Sequence, residues 1–381
     1  MRRDYSMMRG PAATRQHSKL ITPHTAASMA RKISARHWFY ILFPLGCFFV
    51  FAYPVGRLAN WYAPGAVTFG ETLLLWIAAT VALWYSFTRP KMVIRYVMAH
   101  WLGVGFVLFS LTAVYEVVRL AVPLRDAVAV AWILGGAAVL VVLAVAASHY
   151  LTVKHLAFDS AKLTRPHRIV QISDVHIGSR RGGYLQRIVT RINRLQPDTV
   201  VITGDLIDSS SVGHDDIKHL RDLRARTLFT IGNHERYADL DKALDMLERL
   251  GVEALRQRRV MVGDGEIQVI GIDDADAPHQ VAEHLPGIER HHGRYTVLLY
   301  HRPQGWEAAI EHGVDLMLCG HTHNGQIFPF NWFVKHQFRR IRGLYRAGDA
   351  HLYVSPGTGT WGPLMRLGSL NEITCIDLRP G

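Results

Sequence analysis

Long apolar runs dominate the first 150 residues of the chain, and shorter apolar runs alternate with polar segments after them. The long runs are residues 37–56, 66–87, 97–118 and 127–148. Each has the length with which an α-helix crosses a hydrocarbon core of ~30 Å. Tryptophan and tyrosine cluster near their ends, as is typical of membrane interfaces. The pattern predicts a region of four transmembrane helices within residues 37–150. Glu71, His100 and Glu116 are expected to be interfacial side chains at helix ends rather than an intramembrane functional site.

The remaining residues, 151–381, have the pattern of one soluble α/β domain. Periodic apolar positions predict amphipathic helices over 184–195, stopped by Pro197, and over 237–250, capped by Gly251. Gly263-Asp264-Gly265 between two apolar runs indicates a β-hairpin. Continuous apolar runs predict buried strands at 168–172, 199–203, 228–231, 267–272, 295–300 and 314–319. Strands that alternate with helices early and form hairpins later favour a mixed sheet system with helices outside.

Charge is distributed unevenly along the chain. Residues 1–36 carry eight Lys/Arg and one acidic residue, without apolar periodicity, which predicts a disordered basic tail. The loop between the second and third spans is also basic, whereas the other two loops hold few cations. Because Lys and Arg favour cytoplasmic loops, we expect an integral protein of the inner or plasma membrane with its soluble domain in the cytoplasm. The residues compared are Arg89, Lys91 and Arg95 in the basic loop, and Arg57, Arg119 and Arg125 in the others.

The net charge of +12 suits an anionic partner, which could be nucleic acid or an anionic membrane surface. Cys47, Cys319 and Cys375 lie in apolar segments, and we expect them to be small core residues rather than ligands or bridges. The sequence indicates no oligomeric state.

Residues with metal-binding side chains follow the predicted strands. Since the ligand crevice of an open α/β sheet lies at the carboxyl ends of its strands, these clusters are expected to meet in one site. The clusters are Asp174-Val175-His176, Gly204-Asp205, Gly232-Asn233-His234-Glu235, His301 and Gly320-His321-Thr322-His323-Asn324-Gly325-Gln326.

The clusters supply two carboxylates, one amide oxygen and four imidazoles. These are Asp174, His176, Asp205, Asn233, His301, His321 and His323. One ion seldom takes seven such ligands, whereas two ions ~3.5–4 Å apart that share a carboxylate would use them all and activate a water for in-line attack on phosphorus. Nitrogen and oxygen ligands without thiolate favour Mn, with Fe or Zn as alternatives. His234 is the candidate for a catalytic acid that is not a ligand.

The five motifs, in this order, resemble those of the calcineurin-like metallophosphoesterase superfamily over residues 165–378. The resemblance implies a four-layer α-β-β-α sandwich and a dinuclear centre. It implies that Asp174, His176 and His323 hold one ion, that Asn233, His301 and His321 hold the other, and that Asp205 bridges them. His234 would be the acid or would stabilise the transition state. The chain is most similar to a membrane-associated branch whose last motif usually has glycine where this chain has Asn324. Because Asn tolerates the left-handed conformation, this difference concerns loop geometry more than metal binding.

The substrate is less well defined by the sequence. Aromatic and basic side chains are interspersed along residues 328–346. This segment could form either a rim that contacts the membrane or a solvated loop. Arg180 and Arg181 could hold a second phosphate or be solvated. Related membrane-associated enzymes cleave the pyrophosphate of UDP-2,3-diacylglucosamine, so we expect a phosphodiester or pyrophosphate bond in a phosphorylated lipid or lipid-linked nucleotide. Alternatives are a broad phosphodiesterase or nuclease on soluble esters, although membrane tethering makes nucleic acid unfavourable, and a non-catalytic metal-binding membrane scaffold or sensor.

Overall fold

The computed structural model describes residues 40–88, 92–122, 124–277 and 279–381, and the predicted basic tail lies outside them. Four helices come first, and each is long and apolar enough to cross a membrane by length and composition. They are α1 (Tyr40–Tyr62), α2 (Phe69–Thr88), α3 (Met92–Val118) and α4 (Asp126–His149).

Two of the three polar residues in these apolar runs lie at helix ends, as predicted. Glu71 accepts a hydrogen bond from the backbone N–H of Thr68 at the start of α2, at 2.8 Å. Glu116, near the end of α3, accepts from Nε of Arg57 at 2.6 Å. His100 is different, because its Nε2 accepts from the backbone N–H of Leu364 at 3.2 Å. This histidine therefore joins α3 to the domain that follows, and its placement at the membrane interface stays a prediction.

Twelve strands then form two mixed six-stranded sheets. The first has the order β1-β12-β2-β3-β4-β5 and the second the order β10-β11-β9-β8-β7-β6. The strands of the first sheet are β1 (Leu151–Ser160), β2 (His167–Ile172), β3 (Thr199–Thr203), β4 (Arg226–Thr230), β5 (Val252–Ala254) and β12 (Asn371–Pro380). Those of the second are β6 (Arg258–Val262), β7 (Ile267–Ile272), β8 (Tyr295–Tyr300), β9 (Leu316–Cys319), β10 (Gly343–Ala347) and β11 (Ala350–Val354). In each sheet three adjacent strands, β2-β3-β4 and β7-β8-β9, are parallel.

Seven helices accompany these strands. They are α5 (Gly182–Leu195), α6 (His214–Ile217), α7 (Asn233–Ala238), α8 (Leu240–Arg249), α9 (Gln280–His284), α10 (Trp306–Glu311) and α11 (Asn331–Gln337). The sheets pack face to face through a core to which both contribute, including Val201 and Leu318. Helices α5 and α8 cover the outer face of the first sheet, and α9 and α10 that of the second. The predicted four-layer α-β-β-α sandwich is therefore confirmed.

Local patterns predicted most elements correctly. Leu185, Ile188 and Ile192 are buried on one face of α5, as their spacing predicts. The hairpin between β6 and β7 turns through Asp264, whose φ is 51°. The helix predicted over 237–250 was wrong in one respect: Asp239 is extended, ends α7 and caps α8 by accepting from the N–H of Lys242. A short side chain that accepts from the backbone favours a cap over a helix interior.

The domain packs directly against the ends of α3 and α4. The backbone N–H of Arg366 donates to the carbonyl of Ala144 at 2.8 Å, and Ser148 Oγ donates to the carbonyl of Leu364 at 2.9 Å. The rings of Phe106 and Phe330 are 6.0 Å apart in a T-shaped contact. The segments of the domain that touch the apolar helices are the same ones that flank the candidate site described next.

Candidate metal centre

The sequence-predicted ligands converge at the carboxyl ends of β2, β3, β4, β8 and β9. Three groups each place one ligand atom per residue within 4.8 Å of the others. The groups are Asp174 with His176 and His323, Asp205 with His301 and His321, and His176 with Asp205 and His234. The first two groups match the two sets that the resemblance implied, apart from Asn233, which is an amide. Asp205 and His176 each belong to two groups, so the groups form one continuous cluster.

The first group is closely spaced. Nε2 of His176 lies 3.0 Å from Nε2 of His323, which lies 3.4 Å from Oδ1 of Asp174. Asp174 also accepts from the backbone N–H of His321, at 3.0 Å to Oδ1 and 3.1 Å to Oδ2. The hydrogen bonds from the N–H of His321 fix the Asp174 carboxylate and connect the loop after β2 to the loop after β9.

Asp205 lies between the two sets. Its Oδ2 is 3.0 Å from Nε2 of His301 and 4.0 Å from Nε2 of His176. Nδ1 of His321 lies 3.2 Å from the same His301 nitrogen. His301 is oriented through its other nitrogen, because Nδ1 is 2.8 Å from the carbonyl of Thr203 and that carbonyl can only accept. The Nδ1 proton therefore faces Thr203 and Nε2 faces the cluster, the orientation usual for a metal-binding histidine.

These residues fit divalent ions. Ligand bonds of ~2.0–2.2 Å at ordinary coordination angles place two ligand atoms of one ion roughly 3.0–3.5 Å apart. The distances from His323 to Asp174, 3.4 Å, and from His301 to Asp205, 3.0 Å, lie in this range. Asn233 Oδ1 is buried and has no hydrogen-bond partner among the described residues. A buried amide oxygen without a partner is costly, and a cation would satisfy it.

His234 lies at the edge of the cluster. Its Nε2 is 4.0 Å from Oδ2 of Asp205, and its backbone N–H donates to Oδ1 of the same carboxylate at 2.9 Å. Its ring meets that of His176 edge-on, with centroids 4.8 Å apart. The rings of Tyr237 and Trp361, both largely exposed, lie 5.6 and 5.9 Å away on its outer side. His234 thus lies between the cluster and the aromatic side chains of Tyr237 and Trp361.

The site backbone is held in a costly conformation. Five candidate ligands have positive φ: Asp174, His176, Asp205, His321 and His323, with values from 49° to 72°. Such strain persists where the surrounding structure imposes it and is concentrated at functional sites. Asn324 also has φ 50°, so the residue that departs from the usual glycine adopts the left-handed conformation that asparagine tolerates. Glycine is required at position 320 because the Asp174 carboxylate approaches the backbone there, and a Cβ would lie 2.2 Å from its Oδ2.

Glu235 organises the centre, and the sequence analysis assigned it no role. It is fully buried, and its carboxylate accepts four backbone N–H bonds. The donors are Asp205, Leu206, Ile207 and Gly232, at 2.7–3.1 Å. Its position beside Asn233 and His234 was the only sequence signal, because a Glu that follows a strand is usually exposed.

Burial and mutual charge set the protonation of the centre. Burial lowers the pKa of His176, His321 and His323 well below the usual value, so these rings are neutral and can act as ligands. Burial alone would raise the pKa of Asp205, but the charge of His301 and its hydrogen bond hold it well below its usual range. Burial would lower the pKa of His301, but Asp205 and then Asp174 raise it to about 10. In the metal-free protein His301 thus carries a proton that a cation would displace.

Arg366 is a second residue that the sequence analysis missed. It is fully buried, and Nη2 donates to the carbonyls of Pro356 and Gly359 at 2.8 and 2.6 Å, while Nη1 donates to Oγ of Ser369 at 2.9 Å. Burial lowers its pKa to about 10. No periodic pattern surrounds it in the sequence, because its partners are backbone groups of a loop.

Gln326, the last residue of the His321 motif, fixes the neighbouring loop. Its amide nitrogen donates to the carbonyls of Trp361 and Pro363 at 3.0 and 3.1 Å, and its amide oxygen accepts from the N–H of Trp361 at 3.0 Å. This loop is the one that contacts α3 and α4.

This fold and this cluster are typical of a metallophosphoesterase domain. A family model described as calcineurin-like phosphoesterase matches residues 167–325, which contain all eight candidate residues. An uncharacterized metallophosphoesterase of Aquifex aeolicus is 30% identical over 247 residues, which cover 61% of this chain and 93% of that protein. The chain belongs to the calcineurin-like metallophosphoesterase family.

Two further relatives are longer than the matched region. An uncharacterized metallophosphoesterase of Campylobacter jejuni is 33% identical over 238 residues, covering 60% of this chain and 63% of that protein. A protein of Danio rerio named as a transmembrane protein with a metallophosphoesterase domain is 37% identical over 233 residues, covering 56% of this chain and 53% of that protein. The matches therefore span less than two thirds of these two relatives.

Proposed function

We propose that the protein is a membrane-anchored phosphoesterase with two metal ions that hydrolyses a phosphodiester or pyrophosphate bond of a lipid-linked substrate. Residues 37–150 are the anchor and residues 151–381 the catalytic domain in this proposal. The observation that carries it is the packing of the loops beside the metal centre directly on α3 and α4, through His100 with Leu364 and Ala144 with Arg366.

The segment after the last motif supports a lipid substrate. Phe328, Phe330, Trp332 and Phe333 are 46–66% exposed, although they are large apolar side chains. They adjoin α3 through the contact of Phe330 with Phe106. Exposed aromatic groups that continue a membrane-spanning surface are suited to the interface between lipid and water. Phe338 of the same segment is instead buried, with its ring 5.1 Å from that of His321, so this apolar segment is tied to the metal centre.

The metal ligands are assigned as the sequence implied. Asp174, His176 and His323 would hold one ion, Asn233, His301 and His321 would hold the other, and Asp205 would contribute to both sets. When bound, such ions supply Lewis acidity and neutralise charge on the phosphoryl group. Mn²⁺ is the expected metal, with Fe or Zn as alternatives. His234, beside the cluster and close to Asp205 through its backbone, donates a proton to the leaving oxygen.

We expect the full-length chain in detergent with Mn²⁺ to hydrolyse bis(p-nitrophenyl) phosphate. The His234→Ala variant should lower kcat by about 10²–10⁴-fold, the usual contribution of a general acid, while metal content measured by elemental analysis stays unchanged. His292→Ala is the matched control, because His292 is exposed and precedes β8 at the opposite end of that strand from the site. Wild-type activity in His234→Ala would refute the assigned role.

The same preparation identifies the substrate class. A phosphorylated lipid or UDP-2,3-diacylglucosamine should be cleaved faster than single-stranded DNA of equal phosphodiester concentration. Faster cleavage of the DNA would support the alternative of a nuclease. Complete absence of hydrolysis with bound metal would support the non-catalytic scaffold. In cells, the phosphorylated lipid that accumulates in a deletion strain would name the substrate.

We expect the catalytic domain to face the cytoplasm. It packs at the end of the helix bundle where α4 ends at His149 and α3 begins, and in the sequence the predicted basic loop comes directly before α3. Because basic loops are cytoplasmic, a fluorescent protein that matures only in the cytosol should fluoresce when fused at residue 381. A periplasm-active alkaline phosphatase at the same position should be inactive, and the reverse pair of results would contradict the orientation.

A further inference from the structure

A cavity of about 510 Å³ lies between α3, the end of α4 and the start of α5. Its polar lining comes from Tyr96, His149, Arg180, Arg181, Tyr184 and Arg187. None of the seven candidate metal ligands lines it, nor does His234. The cavity is therefore separate from the metal centre, although the loop that carries Arg180 also carries His176.

The three arginines give the cavity positive charge, and the nearby carboxylate of Asp208 accepts hydrogen bonds from Ser179 of the cavity wall rather than from these arginines. Within the described ranges, none of Arg180, Arg181 and Arg187 forms an ion pair with Asp or Glu. Burial lowers the pKa of Arg180, which is only 3% exposed, and the nearby Arg187 lowers it further. The two positive charges of Arg180 and Arg187, close together and partly shielded from water, favour the binding of an anion.

Part of this charge has a structural use. Arg180 Nη2 donates to the carbonyl of Ser148 at 2.5 Å, and Arg187 Nη2 donates to that of His149 at 3.1 Å. These bonds cap the end of α4, where cations are favourable. The Arg180 guanidinium also lies 4.2 Å from the centroid of the Tyr184 ring. Arg180 Nε also donates to Oγ1 of Thr360 at 3.0 Å. Since a guanidinium carries five N–H donors, these bonds leave donors of Arg180 and Arg187 available. The side chain of Arg181 is exposed and bonds to no described side chain or carbonyl.

The position of the cavity identifies its ligand. Tyr96 is the first residue of the candidate span in α3, and His149 is the last residue of the span in α4. The cavity is thus at the depth where both spans end, which is the headgroup layer of a bilayer. Val93, Ala99 and Leu364 add an apolar side to its wall. Basic pockets between transmembrane helices bind phosphorylated headgroups, and arginine binds phosphate oxygens in pairs.

We propose that this cavity binds the phosphate-bearing headgroup of an anionic phospholipid that is not the substrate. The bound lipid holds α3 and α4 against the catalytic domain. It also contacts the loop of His176, because the backbone N–H of Arg180 donates to the carbonyl of His176 at 2.8 Å.

The test measures binding of phosphatidylglycerol to the delipidated full-length chain in neutral detergent by native mass spectrometry, with phosphatidylcholine as the neutral comparison. Excess chelator removes metals, so the result does not depend on hydrolysis and its failure is distinct from failure of the proposed function. We expect preference for phosphatidylglycerol, and an affinity at least about tenfold lower in the Arg181→Ala/Arg187→Ala double variant. A cooperative thermal unfolding transition of that variant confirms that it is folded, even if the loss of the Arg187 cap on α4 lowers its Tm.

Arg191→Ala/Arg194→Ala is the matched control, because it removes the same charge from exposed positions farther along α5. It should keep wild-type affinity, and Arg187→Lys should retain most of it. Equal loss in the control would show diffuse attraction and overturn the site, as would undiminished binding in the Arg181/Arg187 variant. Inorganic phosphate that binds as tightly as the lipid, with the same arginine dependence, would overturn the assignment to a lipid.

Discussion

Replacement of Asp205 by alanine is expected to abolish metal binding and hydrolysis together. Oδ2 of Asp205 lies 3.0 Å from Nε2 of His301 and 4.0 Å from Nε2 of His176, so one carboxylate serves both sets of ligands. Its removal also leaves buried imidazoles without the charge that attracts cations. We expect kcat/KM for bis(p-nitrophenyl) phosphate to fall by at least about 10³-fold, since the ions supply several kcal/mol of charge stabilisation.

Elemental analysis of the same variant should show fewer than one metal ion per chain, whereas the wild type should hold two. Asp245→Ala is the matched control, because Asp245 is an exposed carboxylate on α8 whose one ion pair among the described residues is with Arg249, one turn later. Such surface pairs contribute little, so activity should not change. Full activity of Asp205→Ala with two bound ions would contradict the bridging role.

The residues of the site were largely predictable because they follow apolar runs. Val200, Val201 and Ile202 form a buried strand that ends next to Gly204 and Asp205, and the same holds for β8 and His301. A parallel sheet then places such strand ends at one edge. Predicting these residues required only the local apolar runs and the general rule for strand ends in parallel sheets. It did not require details of side-chain packing.

The supporting residues were not predictable from the same patterns. Glu235 and Arg366 are buried charges whose partners are mainly backbone groups of irregular loops, and no apolar periodicity specifies such partners. The break at Asp239 was missed because apolar periodicity continues across it, while a single capping interaction decides the local conformation. The contact of His100 with Leu364 was not predictable for a similar reason, since the two residues are 264 positions apart.

These supporting contacts join the metal centre to the apolar helices. Gln326 belongs to the same motif as His321 and His323, yet its amide holds the loop of Trp361 and Pro363. That loop continues through Leu364 to Arg366, which contact α3 and α4. The motif that supplies two candidate ligands therefore also positions the segment that contacts the apolar helices. Only a few contacts separate these helices from the candidate ligands, so a change in helix packing would affect the ligand positions.

Replacement of Arg366 by methionine is expected to destabilise the catalytic domain more than a change at any exposed arginine. Methionine keeps much of the volume but leaves the carbonyls of Pro356 and Gly359 buried without their donor, at ~1–3 kcal/mol each. A loss of about 3 kcal/mol lowers the Tm of a domain of this size by roughly 6–12 °C, measured by thermal unfolding in detergent. Arg379→Met, which breaks an exposed ion pair with Asp159, should shift it by less than about 4 °C. Equal shifts in the two variants would show that the buried guanidinium does not stabilise the loop between the metal centre and the membrane helices.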